Sequence, residues 1–93
     1  MNNVEAIEII RNSIFFDYKW YFSNNPDLIV GVIDPAEHYY YYGWSEGRDP
    51  SPLFSTNKYL DNYLDVKQAN INPLIHYEIW GKKEKRNVFV VVS

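Results

Sequence analysis

Displaced by 38 residues and laid on itself without a gap, the chain superimposes Phe16 to Arg48 on Phe54 to Arg86. Eleven of the 33 aligned positions are identical: Phe16/Phe54, Tyr21/Tyr59, Asn24/Asn62, Asp27/Asp65, Ile33/Ile71, Pro35/Pro73, His38/His76, Tyr39/Tyr77, Gly43/Gly81, Glu46/Glu84 and Arg48/Arg86. Leu28/Val66, Asp34/Asn72 and Tyr42/Trp80 are conservative pairs. A period of about 20–50 residues marks a repeat architecture, in which each unit stacks on its neighbour to bury an apolar face it cannot bury alone. The chain has 93 residues, which leaves room for two such units sharing one core. The reading is one domain: an N-terminal helix (1–14), a first repeat (15–52), a second repeat (53–87) and an apolar tail (88–93).

Capping chemistry divides each unit. Asp34-Pro35 and Asn72-Pro73 each pair an N-cap residue with proline at the first helical position, where its fixed φ helps and its missing N–H costs nothing. Gly43 and Gly81 lie eight residues further on, where a left-handed C′ residue would stop the helices AEHYYYY and LIHYEIW. Asp17 and Ser55 can cap helices over 18–24 and 56–62, and Pro26 opens a third short helix over 26–31, matched by 64–69. The fold class expected is all-α, three short helices per repeat. Ahead of them, residues 2–12 place Val4, Ile7, Ile10 and Ala6 on one helical face, capped by Asn2 or Asn3, to lid the first repeat. RDPSPL, with two prolines, reads as a stiff extended connector. VFVVVS has the β-branched pattern of a strand. Three placements are open to it: pairing with another chain, leading into a following domain, or packing on the helices.

Composition removes several function classes. There is no cysteine, hence no disulfide, Fe–S cluster, thiolate zinc site or cysteine nucleophile. A net charge of −3 disfavours nucleic acid. No run approaches a membrane span, and the N-terminus lacks the basic and apolar regions of a signal peptide, so a cytoplasmic location is expected. Aromatic residues make up 18% of the chain, enough to build a small core from few side chains.

The segment FDYKWYFSNNPDLIVGVIDPAEHYYYYGWSEGRDPSPLF, followed by KYLDNYLDVKQANINPLIHYEIWGKKEKR, resembles a tandem repeat of pattern FD..YYL..NPDV...G.(D/N)PL.HYL..G..EGR.PSP.F. That repeat accompanies bacterial glycosyltransferases and other enzymes of surface-polysaccharide synthesis, and also occurs in secreted bacterial proteins. The resemblance spans residues 15–87. The second copy departs from it, with Tyr63-Leu64-Asp65 for NPD and Glu84-Lys85-Arg86 for EGR. What the resemblance implies is an accessory module that works beside an attached catalytic domain or a protein partner.

The repeated polar residues read first as structural. His38 and His76 have no second ligand at metal spacing, so each is expected to hydrogen-bond a neighbouring loop, and no metal or cofactor is called for. Arg48 and Arg86, with Glu46 and Glu84, can hold the carboxylates of Asp27 and Asp65 and pin one repeat against the next. In Tyr39-Tyr40-Tyr41-Tyr42-Gly43-Trp44 the rings of a helix point all round, so not all can be core. Tyr39 and Tyr42 are assigned inward, and Tyr40, Tyr41 and Trp44 outward as a surface for a protein or a glycan. Arg48 beside them could hold an acidic sugar group.

No nucleophile, base and oxyanion set can be assembled, and none of the common catalytic motifs is present. The expectation is therefore a noncatalytic interaction module. A carbohydrate-binding module and a small free-standing inhibitor or phage-type protein are the competing readings, and self-association through Val88–Ser93 is a further partner expectation.

Overall fold

The structure is a computed structural model that describes residues 1–91. Each cap marked in the sequence opens a helix. Asn2 and Glu5 form a reciprocal capping box at the start of α1 (Asn3–Asn12), the Glu5 N–H donating to Asn2 Oδ1 at 2.8 Å. Asp17 and Ser55 accept from the N–H groups of Trp20 and Lys58, starting α2 (Tyr18–Asn24) and, in the second repeat, α4 (Thr56–Asn62). Asp34 Oδ1 caps α3 (Pro35–His38) by accepting from Ala36 and Glu37. Asn72 Oδ1 caps α6 (Pro73–His76) the same way, from Leu74 and Ile75. With α5 (Leu64–Ala69), the described residues hold six α-helices and no strands, so the chain is all-α.

Gly43 and Gly81 do not stop their helices. α3 and α6 run on as π-helical turns over Tyr39–Gly43 and Tyr77–Gly81, with Trp44 N–H donating to Tyr39 O at 3.2 Å and Lys82 N–H to Tyr77 O at 2.8 Å. Neither glycine has a positive φ. They are glycine because of space: a Cβ on Gly43 would collide with the hydroxyl of Tyr21, and one on Gly81 with that of Tyr59. The left-handed position comes four residues later, at Gly47 (φ 80°) and Lys85 (φ 58°). The turn survives the loss of its glycine in the second copy.

The helix expected over 26–31 is absent. The backbone makes separate turns there, Leu28 N–H to Asn25 O at 3.0 Å and Val32 N–H to Ile29 O at 3.2 Å, and breaks at Gly31 (φ 86°). In the second repeat Lys67, Gln68 and Ala69, good helix formers, replace Ile29, Val30 and Gly31, and α5 continues until Asn70 (φ 57°) ends it. The RDPSPL connector is a turn rather than an extended rod, with Ser51 Oγ accepting from Leu53 N–H at 3.2 Å and Ser51 bridged to Phe54. The same turn precedes the first repeat, where Ser13 Oγ accepts from Phe15 N–H at 3.0 Å. Structurally, then, the repeat begins three residues before the Phe16/Phe54 match.

The core is aromatic at its centre. Tyr21, Tyr39, Phe54 and Tyr59 are fully buried, and Phe54 stacks on Tyr59 while Phe15 meets both Phe54 and Tyr77. Burying a ring of this size contributes about 1.5–3 kcal/mol. Tyr42, assigned inward by the sequence, is 61% exposed. The π turn accounts for this, because its wider winding rotates residue 42 off the face defined by Tyr39.

α1 covers both repeats rather than the first alone, packing on α3, on α6 and on the first π turn. It buries Ala6, Ile7 and Ile10 but leaves Val4 in solvent. The tail is extended without forming a strand. Ser55 N–H donates to Phe89 O at 2.6 Å and Val91 N–H to Pro52 O at 2.9 Å, while Val88 and Phe89 pack on the core. Of the tail segment Val88–Ser93, Val92 and Ser93 lie outside the described residues.

Candidate functional site

Most of the repeated polar residues are consumed by the fold. The Tyr21 hydroxyl is hydrogen-bonded to His38 Nδ1 at 2.8 Å, and the Tyr59 hydroxyl to His76 Nδ1 at 2.8 Å. The histidines therefore bond a core tyrosine on a helix, not a loop. Burial first, and the nearby Arg48 or Arg86 second, push both imidazoles below their usual pKa, which keeps them neutral at pH 7. No cluster of metal-ligating side chains occurs among the described residues.

Arg48 closes a fork on Asp27 with two bonds of 2.8 Å, and also meets Glu46 Oε1 at 2.9 Å and Asn25 Oδ1 at 2.8 Å. Arg86 repeats the fork on Asp65 at 2.9 and 2.8 Å, pairs with Glu84, and lies over the Tyr63 ring. Hydrogen bonding from these guanidinium groups lowers the pKa of Asp27 and brings that of Asp65 down to about 2. Each pair lies within one repeat, so the arginines close their own units and do not pin one unit to the other. Four of its five N–H groups are thus engaged within the fold, and Arg48 does not line the cleft formed by Tyr40, Tyr41 and Trp44.

The joint between repeats is a different network. Thr56 Oγ1 donates to Arg48 O at 2.7 Å and is bonded at 2.9 Å to the Tyr39 hydroxyl, which is therefore the donor; Thr56 N–H donates to Asp49 Oδ1 at 2.8 Å. Burial raises the pKa of both Tyr39 and Asp49.

Two recesses flank the tyrosine run. The first is a groove of about 380 Å³ on the first repeat, lined by Val32, Ile33, Asp34, Glu37, His38, Tyr41 and Tyr42. Beside Val32 (75% exposed) stand Ile29 and Val30, exposed at 61% and 71%. The corresponding residues of the second repeat are Lys67, Gln68 and Asn70. The first copy is thus apolar at positions where the second, wound there as α5 and its left-handed end, is polar. The sequence carried this signal in a position-by-position comparison of the copies, but reading 26–31 as a helix hid it.

The second recess is a cleft of about 300 Å³ at the seam, lined by Asn3, Tyr40, Tyr41, Trp44, Asn70 and Asn72. It brings together Tyr40, Tyr41 and Trp44, the three rings assigned outward, and leaves Arg48 out. Tyr40 and Trp44 are half-buried, Tyr41 is exposed, and the Tyr40 hydroxyl donates to Asn3 Oδ1 at 2.8 Å. Of the three asparagines, the sequence marks Asn3 and Asn72 only as helix caps and gives no sign of Asn70.

No protein family, curated protein or solved structure matches this chain. No helix among the described residues is long and apolar enough to cross a membrane.

Proposed function

We propose that this chain is a noncatalytic interaction module whose first repeat binds a protein partner or an attached catalytic domain. The observation that supports it is the contrast between copies: Ile29, Val30 and Val32 stand in solvent where the second repeat carries Lys67, Gln68 and Asn70. Exposed apolar surface of this kind is costly to leave uncovered and marks a contact site, whereas the matching polar face needs no cover. The unit that presents it is rigid, closed by the Arg48–Asp27 fork and the Tyr21–His38 bond. This reading agrees with the accessory role implied by the resemblance to repeats that accompany enzymes of bacterial surface-polysaccharide synthesis.

The test is photocrosslinking in the native cell. A benzophenone side chain placed at Val30 or Val32 should give one discrete protein adduct, and the same probe at Gln68 or Asn70 should give none. No adduct at Val30 and Val32, or the same adducts from both repeats, would reject the reading.

A further inference from the structure

We infer that the seam cleft between the repeats is a binding site for a neutral saccharide, a recess distinct from the apolar groove of the first repeat although Tyr41 stands on the wall of both. Three observations converge on it. The first is its composition, three aromatic rings and three carboxamides with no ionised side chain in the lining. Rings offer flat apolar surfaces to the C–H faces of a sugar, and amides offer a donor and an acceptor on one group to its hydroxyls. The absence of any cation or carboxylate selects against an acidic or amino sugar, because nothing in the lining would neutralise its charge.

The second observation is a donor without an acceptor. Asn72 is 6% exposed, its Oδ1 is taken by the α6 cap, and its Nδ2 has no hydrogen-bond partner. The first repeat shows what this position ordinarily has: there the second oxygen of the equivalent Asp34 is held by Arg11 Nη2 at 2.6 Å. A buried polar atom left unpaired costs stability, so its retention calls for an acceptor the chain itself does not supply. A hydroxyl oxygen of a ligand in the cleft that Asn72 lines is an acceptor of the kind it lacks.

The third observation comes from the other end of α1. The recess there is lined by Glu8, Ile9, Asn12, Ser13, Glu78 and Ile79. Glu78, Ile79 and Lys82 stand at the positions of Tyr40, Tyr41 and Trp44. A recess thus lies at each end of the helix, sharing only the equivalent pairs Tyr40/Glu78 and Tyr41/Ile79, and the ring lining is confined to the seam cleft.

The experiment is saturation-transfer NMR on the full chain with glucose, galactose, mannose and N-acetylglucosamine, and with glucuronic acid and glucosamine as the charged counterparts. The expected result is transfer to the ring protons of at least one neutral sugar at millimolar concentration. Tyr41→Ile and Trp44→Lys place the second repeat's own residues in the first. Each should weaken that binding by about tenfold or more; melting stays close to that of the parent for Tyr41→Ile, whose ring is exposed, and falls for Trp44→Lys, whose ring packs on the core. Asn72→Asp retains the cap and removes the donor, and should weaken binding as much, with some loss of stability because no cation faces the new carboxylate as Arg11 faces Asp34. No transfer to any neutral sugar, transfer only to a charged one, or binding that survives both Tyr41→Ile and Trp44→Lys would overturn the inference. None of these results bears on crosslinking at Val30 and Val32, so the two proposals fail separately.

Discussion

A hydroxyl and a missing methyl group fix the centre of each repeat. Because the Tyr21 and Tyr59 hydroxyls occupy the space where a Cβ would stand, Gly43→Ala and Gly81→Ala should each cost about 1–3 kcal/mol in chemical denaturation. Removing the hydroxyl should relieve the clash, so Gly43→Ala should cost less in a Tyr21→Phe background than alone. A double-mutant cycle reads this directly. The same tyrosines hold neutral histidines. With a folded pKa below the ordinary value near 6.5, each histidine takes up its proton more readily in the unfolded chain. Their stabilisation is therefore complete above pH 6.5 and is lost as pH falls through the folded pKa. Thermal melts between pH 7 and 5 should show a decline that His76→Gln reduces, since His76 is the more buried of the two.

At the scale of elements, the helix starts with a side-chain cap were legible in the sequence, whereas the start expected at Pro26 and the helix ends were not. Asp17, Ser55, Asp34 and Asn72 act locally, each on a backbone N–H two or three residues away, so their effect can be read without knowing the fold. Gly43 and Gly81 answer to a tyrosine 22 residues earlier, a contact with no local signature. The seam cleft is likewise long-range, since its walls come from α1 and from both repeats. The rings of the cleft were legible as outward aromatics, whereas its amides depend on how the second repeat meets α1. The turn at Gly47 and Lys85 is a further case, since identical geometry is reached with unlike residues. A non-glycine residue in the left-handed region is strained, so Lys85→Gly should stabilise the chain by about 0.5–1 kcal/mol. Gly47→Ala should destabilise it by a similar amount, because its Cβ would also press on the Asn57 amide.

For the whole molecule, the joint and the tail decide whether two units behave as one. Thr56→Val removes the acceptor for the buried Tyr39 hydroxyl and the donor to Arg48 O, and should cost about 1–3 kcal/mol in a single cooperative transition. The tail contributes at the same joint, since Phe89 O satisfies the N–H of the buried Ser55. Deleting residues 88–93 should therefore lower the melting temperature by several degrees, about 4–8 °C for each kcal/mol lost. If the tail serves only this chain, the mass by light scattering will not change with the deletion; a larger species that falls to monomer would instead show the tail pairing between copies.

The position of α1 sets an order of events. Within each unit the bonds close short loops, 17 residues from tyrosine to histidine and 21 from arginine to aspartate. The contact from Ser13 Oγ to Glu78 spans 65 residues. On a ribosome, the first repeat can collapse as soon as Arg48 has emerged, while the helix made before it waits with one side undocked for α6 to arrive. The helix made before both repeats is thus the last to be fully docked, and the seam cleft that it borders comes into being only once Asn70 and Asn72 of the second repeat have joined it.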